Sequence, residues 1–567
     1  MFFDGRIPPI ERPPKEKWML VAAAGFGTVI TLRLLGELVR QTVFVPTLTI
    51  MHDLPNVGSK RRDGKRKGRA VVCGGSVAGL MAAAVCSEHF ESVLIIEADG
   101  SANELAIEIP KEPEVRMMDN GLPTRTSSRK RVMQYSAMHL YQPPVLLGLQ
   151  RLFPAMQEQL DHFGLASAPL TFSNFEYGGM SCPEVHRPTD MDAPQILPIT
   201  REAFETLLRR LVVKYKANVT FLTGTVYELE RDNHDKRKLS GVKVRTQARK
   251  QSEVADFVVD ATGPAQVAYH KWLTNAGFDS LTDTPYEEYN PQCNYAQSTW
   301  TIPINILPEI EAILPYGLHL GSVHSSVPDG SKGEQIGQGI ILYEKNQLLL
   351  LSAGWGITAN DLPHTIQEYR ASTISIHQVT PAPNWLYKLF DILEAHEEEC
   401  APWYTDYTHG TFAFVKYHQV ERSRLPNNWI AAGDSIMKLN PIYGQGCTKA
   451  MIDAVTLDSL LHRIPSQQDL PPDFVTSYFK KAAGRTEVMW DGNKATDYGW
   501  TSTEPAKGET LAVGAFTRNF GKHVTYVCQQ NPKLFTMWLH IVFGLAPSTD
   551  FFAPSVLIRV AWSWLIS

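Results

Sequence analysis

The sequence predicts an α/β fold: a parallel βαβ core, a β-rich region inserted into it, and helical apolar ends. Three observations carry this. A β-type run, Arg69 to Cys73, passes through Gly74-Gly75-Ser76-Val77-Ala78-Gly79 into a helical stretch and a second apolar run, Val93 to Glu97. Extended pieces such as YAQSTWTIPINI and GQGIILYEKNQLLLLSAGWG alternate with loops through residues 280–415. Apolar segments stand near both termini, while overall composition is that of a folded protein, 44% hydrophobic and 20% charged. The 567 residues exceed one small core and suffice for two or more domains.

In chain order, the first feature is Trp18 to Leu32, fifteen residues without a charge. Spanning a bilayer takes roughly 20. Arg33 comes next, then LLGELV keeps the apolar character. A membrane-anchor helix is expected here, with Arg33 reaching toward the interface. A buried globular helix or a signal-peptide core would leave the same pattern. The next segment is KRRDGKRKGR, Lys60 to Arg69, with seven basic residues against one acid. Its charge bias leads to the expectation that the segment after the anchor, and the body of the chain, lie on the cytoplasmic side. It reads as a solvated linker able to touch anionic lipid.

The strand, tight turn, helix, strand and acid from Arg69 to Glu97 are the unit that binds a dinucleotide. Gly74 permits the sharp turn. Small residues around Gly75 and Ser76 let backbone N–H groups approach a pyrophosphate, and the helix dipole favours the anion. Gly79 lets helix and strand pack closely. Glu97 ends the second strand, where it can accept hydrogen bonds from ribose hydroxyls. The middle glycine of the usual pattern is Ser76 here.

LPITREAFETLL, residues 197–208, is a short extended piece running through Thr200, an N-cap, into an amphipathic helix. Arg201 stands in its first turn, against the helix dipole, and calls for an anionic partner. Val219 to Gln247 alternates like a hairpin with polar turns. Val254 to Ala265 is a buried strand ending at Asp260-Ala261-Thr262-Gly263. Later, Trp429 to Ala432 is another strand, closing at Gly433-Asp434. The segment GDSIMKLNPIYGQGCTKA, residues 433–450, then enters the helix CTKAMIDAVTLDSLL. Pro441 fixes φ and stiffens the loop, while Gly444 and Gly446 leave the helix N-terminus bare.

These motifs in this order resemble the FAD-dependent monooxygenases with a glutathione-reductase-type FAD domain. That superfamily includes aromatic hydroxylases, squalene epoxidases and geranylgeranyl reductases. The resemblance covers roughly residues 70 to 465. It implies a Rossmann-like FAD-binding domain with an inserted β-sheet substrate domain. It implies cofactor contacts from Gly74, Gly75, Ser76, Gly79, Glu97, Arg201, Asp260, Gly263, Asp434, Pro441, Gly444 and Gly446. Asp434 would hold the sugar chain, and the helix after Gly446 would face the pyrimidine edge of the flavin ring. RKRVMQYSAMHL, residues 129–140, matches a family stretch near the flavin at Arg129, Gln134 and His139, although Met133 and Ala137 replace a proline and a histidine. After Gly263 the usual arginine and serine are replaced by Pro264-Ala265-Gln266. Trp300-Thr-Ile302-Pro303 partly echoes a flavin-halogenase motif, but Ser298 replaces its first tryptophan and no lysine context accompanies it, so Trp300 reads as core.

The expected organisation is an N-terminal anchor and basic linker at 1–69 and FAD-binding segments at 70–279 and 416–465. The substrate sheet is expected at 280–415, and a helical region with an apolar, membrane-associating tail at 466–567. Trp538, Trp562 and Trp564 suit a membrane interface, although a helical pair packed on the body would read the same. The seven cysteines are scattered without C-x-x-C, which argues against a disulfide framework or a zinc site. A net charge of −5 gives no sign of a nucleic-acid partner. No catalytic base stands out, since the chemistry belongs to the cofactor. The implied activity is an NADPH- or NADH-driven monooxygenase that uses O₂ to hydroxylate or epoxidise a hydrophobic small molecule. A flavin reductase of prenyl double bonds is the alternative, and a non-catalytic membrane-tethered flavoprotein a third.

Overall fold

A computed structural model of the chain describes residues 31–100, 114–126, 129, 132, 134–169, 174–182, 194–264, 271–278, 285–318, 321–376 and 380–566. Its centre is built from β1 (Arg66–Cys73), α1 (Val77–His89), β2 (Phe90–Glu97), α2 (Arg201–Tyr215), β3 (Val219–Thr223), β4 (Phe257–Asp260), β5 (Trp429–Ala431) and α3 (Gly446–Leu461). The strands form one parallel sheet in the order β5-β4-β1-β2-β3. Parallel strands are covered on both faces, so they read as unbroken apolar runs. Ala70 to Cys73 accordingly have no exposed surface. Small residues do the same for α1, where Ala82, Ala83 and Ala84 are buried and α3 packs alongside.

The hairpin expected from Val219 is divided. β3 joins β2 in the parallel sheet. The antiparallel meander begins after Gly224, at Thr225–Arg231, and continues through Leu239–Arg245 and Lys250–Val254. Alternation alone did not reveal the partner of each strand.

The second large sheet has seven strands. They run in the order Trp403–Thr408, Cys293–Thr301, Gln347–Trp355, Ile336–Tyr343, Gly321–Val327, Asn174–Tyr177 and Met180–Ser181. It therefore reaches outside residues 280–415 for its last two strands. One face packs on the helices Leu307–Ile313, Ile366–Ile376 and Asn384–Ala395, burying Trp300, Leu348, Leu350 and Phe390. Trp300 is core, as its sequence context suggested, with Nε1 donating to Ser298 Oγ at 3.0 Å. The alternate side chains, Tyr295, Gln297, Leu351 and Tyr343 among them, turn to the other face.

Four helices come after α3: α4 (Phe474–Asp497), α5 (Ala515–Gln529), α6 (Pro532–Val542) and α7 (Pro554–Ile566). Val524, Phe535, Leu539, Val556 and Val560 share a small core with Phe175 and Ile196. The C-terminal region is thus packed on the body. Its helices after α4 have 15, 11 and 13 residues. Among the described residues no helix is long and apolar enough to cross a membrane. At the C-terminus Pro547 and Pro554 divide the apolar run into short helices, as their positions in the sequence suggested. The charge-free run from Trp18 lies outside the described residues up to position 30.

Residues 31–48 are helical, with a π turn at Arg40–Phe44. Leu32, Leu34, Leu35 and Leu38 are each more than half exposed. The segment between this helix and β1 is packed at its start, while Lys60, Arg62 and Lys65 of the basic stretch are exposed. Ile50, Leu54 and Val57 are in the main core, and Asp53 pairs with Lys481 at 2.6 Å and Arg485 at 2.5 Å. Two of the basic residues are also anchored. Arg61 donates to the carbonyls of Leu461 and Ile464, at 2.7 and 2.6 Å, and Arg66 to those of Pro465 and Gln468.

Candidate cofactor and substrate site

The glycine turn between β1 and α1 is dictated by close approach. Gly74 has φ +108°, and a Cβ there would strike the Ala261 carbonyl. A Cβ at Gly79 would strike the carbonyl of Gly74. Glu97 closes the turn from the next strand: its carboxylate accepts from the backbone N–H of Gly75 at 2.7 Å and of Asp99 at 2.8 Å. Arg129 lies 3.1 Å from Glu97 and 3.4 Å from Asp99.

Ser76 links this turn to α2. Its hydroxyl donates to Glu205 at 2.8 Å and accepts from Arg201 at 2.9 Å. The anionic partner that Arg201 calls for is supplied, within the protein, by Glu205 one turn further along the helix, at 3.1 Å. Arg209, at 3.0 Å, and Arg129 also pair with Glu205. Burial pushes the Glu205 carboxyl up, but the three guanidiniums outweigh it and hold the group below its usual range. Nε of Arg201 is buried without a hydrogen-bond partner among the described residues.

The second half of the site comes from β4, β5 and α3. Asp260 accepts from Thr262 N and Oγ1, at 3.1 and 2.7 Å, and from Ser435 Oγ at 3.2 Å. This ties the Asp260–Gly263 loop to the Gly433-Asp434-Ser435 turn. Gly433 is held at both backbone groups: its N–H donates to Asp453 at 2.8 Å, and its carbonyl accepts from Lys449 at 2.6 Å. Lys449 and Asp453 are themselves an ion pair at 2.7 Å, one helical turn apart and 1% exposed. The Asp434 carboxylate has no hydrogen-bond partner among the described residues and lines the central cavity. Burial pushes its carboxyl up, opposed by Lys449, Lys438 and Arg201.

The loop before α3 is anchored from α4. Asn440, Tyr443, Trp355 and Tyr289 all donate to Asp497. Nothing in the sequence pointed to Asp497, which stands 57 residues from Asn440. The Lys449–Asp453 pair had a signal, its i, i+4 spacing, but so have many surface pairs.

The parts enclose one cavity of about 1720 Å³, against roughly 300–1,000 Å³ for a single small-molecule site. Ser76, Arg201 and Gly263 line one end, with Asp434, Pro441, Gly444 and Gly446 beside them. A Cβ on Gly446 would meet nothing within 4 Å, so the N-terminus of α3 opens onto free space. Gly74, Gly75, Gly79, Glu97, Arg129 and Asp260 are absent from the cavity wall and shape the turns behind it. Beyond, the wall is the free face of the seven-stranded sheet, with Tyr295, Leu351 and Trp355, and then Phe520, Trp538 and Phe543 of the C-terminal helices. An unused guanidinium N–H, an unpartnered carboxylate and a bare helix terminus on one wall fit an elongated group with both anionic and hydroxyl-bearing parts.

A separate cluster lies outside the cavity. His89, Asp458 and His462 bring their polar atoms within 4.8 Å of one another. Arg61 Nη1 can only donate to His89 Nδ1, 3.1 Å away, so Nε2 carries the proton and donates to Asp458 at 3.0 Å. With Arg61 in place, that nitrogen has no lone pair for a cation.

No protein-family model matches the chain. Protein Rv3254 of Mycobacterium tuberculosis is 24% identical over 446 residues, covering 77% of this chain and 81% of that protein. The flavin-dependent brominase Bmp2 superposes with a TM-score of 0.52 at 14% identity, over 88% of this chain and 99% of Bmp2. A flavoprotein/dehydrogenase from Cytophaga hutchinsonii gives 0.50 at 12% identity, over 88% of this chain and 98% of that one. A parallel nucleotide-type sheet, a seven-stranded partner sheet and a cavity between them therefore give this chain the fold of the brominase Bmp2 and of the Cytophaga flavoprotein.

Proposed function

We propose that this protein is an FAD-dependent oxidoreductase, and specifically a monooxygenase driven by NADPH or NADH, acting with O₂ on an apolar small molecule. The observation that carries the reading is the large cavity with a polar end and an apolar end. FAD, when bound, supplies the redox chemistry. Arg201 and the N-terminus of α3 favour its negatively charged parts. Asp434 accepts from its sugar-chain hydroxyls. The Lys449–Asp453 pair fixes Gly433 so that Asp434 keeps its position. The sheet face and C-terminal helices exclude water from the reacting end.

The test is purification with bound flavin, then measurement of substrate-dependent NAD(P)H and O₂ consumption. Labelled oxygen in the product supports hydroxylation or epoxidation. Saturation of a double bond without oxygen supports the prenyl reductase, whose N-P-I-Y-G-Q-G wording this chain shares. Flavin binding without turnover supports the non-catalytic flavoprotein.

We also propose that the ends of the chain sit on a membrane surface, with the catalytic body cytoplasmic. The support is one apolar region. Phe516, Phe552, Ile558, Trp562 and Leu565 are exposed, and Arg40 of the N-terminal helix reaches Asp550 beside them at 2.8 Å. Binding to liposomes by the full chain, and its loss on replacing these side chains with serine, checks this.

A further inference from the structure

Two histidines of the cavity wall are not among the residues assigned above to cofactor binding. His139 lies on a strap, residues 136–139, pinned to the free face of the large sheet. Met138 N donates to Gln297 Oε1 at 2.7 Å, and Gln297 Nε2 donates to the Ser136 carbonyl at 3.0 Å. His139 N donates to the Tyr343 hydroxyl at 2.7 Å, and its ring stacks on Tyr141. The ring's Nδ1 lies 2.8 Å from the Ala137 carbonyl. A carbonyl can only accept, so Nδ1 carries the hydrogen and Nε2 is left with a bare lone pair. That Nε2 has no partner among the described residues, and His139 lines the cavity.

His409 is the second. It lines the same cavity, 5% exposed, with its ring 4.5 Å from that of Tyr295. Its Nε2 is buried without a hydrogen-bond partner among the described residues. Leaving such a polar atom buried and unpaired is costly, and a bound ligand removes the cost. Desolvation, aided by Arg201 near His139 and Lys438 near His409, pushes their pKa values down to about 3 and about 4. Both rings stay neutral at pH 7. They accept hydrogen bonds and offer no positive charge to an anion.

We propose that His139 Nε2 is the acceptor that orients the substrate, and that the substrate is an uncharged apolar molecule carrying a hydroxyl or N–H donor. His409 is a second polar contact, on a wall that also carries Tyr295, Leu351, Trp355 and Ile442. This rests on the oxidoreductase reading above and adds the substrate class to it.

The test uses the full-length, flavin-loaded protein and three probes of one shape: pyrene, 1-hydroxypyrene and pyrene-1-carboxylate. At pH 7, 1-hydroxypyrene should bind about tenfold tighter than pyrene, the ratio one net hydrogen bond supports. Pyrene-1-carboxylate should bind no better than pyrene. His139→Leu should bring 1-hydroxypyrene to the affinity of pyrene while flavin content and pyrene affinity hold. His139→Gln, which keeps an acceptor, should restore part of the difference. ¹⁵N spectra should report the Nδ1–H tautomer and a shift of His139 Nε2 on adding 1-hydroxypyrene. Equal affinity for pyrene and 1-hydroxypyrene, or tighter binding of the carboxylate, overturns the proposal. So does a preference abolished by His409→Leu but untouched by His139→Leu. Protein that folds but never takes up flavin overturns the oxidoreductase reading instead, and the three probe affinities still judge His139.

Discussion

The Tyr443 hydroxyl, on the loop that leads into α3, donates a 2.8 Å hydrogen bond to the fully buried carboxylate of Asp497 at the end of α4. Asn440, Trp355 and Tyr289 donate to the same carboxylate. One helix, two sheets and the cavity-facing loop thus meet at one side chain. Desolvation dominates over these donors and raises its pKa to about 6.

Asp497→Asn keeps the volume but turns one acceptor oxygen into a donor facing donors. A cost of about 1–3 kcal/mol in unfolding free energy is expected. The pH dependence has a definite sign. A carboxyl near ~3.9 in the unfolded chain and raised when folded binds its proton more tightly in the native state. Its stabilising contribution is therefore full below pH ~4 and falls as pH rises toward 6. Urea unfolding of wild type and Asp497→Asn between pH 4 and 7 should show the wild-type advantage shrinking over that window.

Lys449→Met removes the donor to the Gly433 carbonyl and leaves Asp453 buried without its cation. About 3–5 kcal/mol of destabilisation is expected, with weaker flavin retention. Lys449→Met combined with Asp453→Leu should recover much of the stability but not the flavin, because Gly433 remains unpinned. A double-mutant cycle on unfolding, read beside flavin content, separates the two effects.

Gly446 and Gly79 should part company when changed to alanine. At Gly446 the new methyl enters open space, so folding should shift by less than about 1 kcal/mol while flavin binding weakens. At Gly79 it meets the Gly74 carbonyl, and folding itself should fail or lose several kcal/mol. Thermal melts of both proteins with and without added FAD check this; equal flavin affinity in wild type and Gly446→Ala would remove α3 from the cofactor wall.

Arg201→Gln leaves Glu205 with two of its three arginines and takes away the unused Nε–H. Charged hydrogen bonds of about 1.5–3 kcal/mol correspond to roughly 10–150-fold weaker flavin binding. Equilibrium dialysis against FAD measures it.

Truncation distinguishes the apolar N-terminal helix from the packed segment after it. Deleting residues 1–44 should leave a folded, flavin-binding protein with less liposome binding. Deleting 1–59 also removes Ile50, Leu54 and Val57 from the core and unpairs Lys481 and Arg485 from Asp53, and should yield insoluble protein.

The amino-acid sequence by itself determined the parallel core and the two loops that face the cavity. Tight turns leave a readable mark because only glycine tolerates the backbone geometry at Gly74 or the close approach at Gly79. Strands buried on both faces must be apolar, and Thr200 and Pro441 declare the local geometry they impose. Only the tertiary structure decided which donors answer Asp497, that Glu205 neutralises Arg201, and that Gly433 hangs from Lys449 and Asp453. It also decided which ring nitrogens of His139 and His409 lack a partner among the described residues, that β3 pairs with β2, and that strands 174–181 complete the large sheet. The physical reason is common to all of these. A turn or a helix is written in neighbouring residues, whereas a buried polar group is satisfied by whichever donor the fold brings within about 3 Å, however distant in the chain.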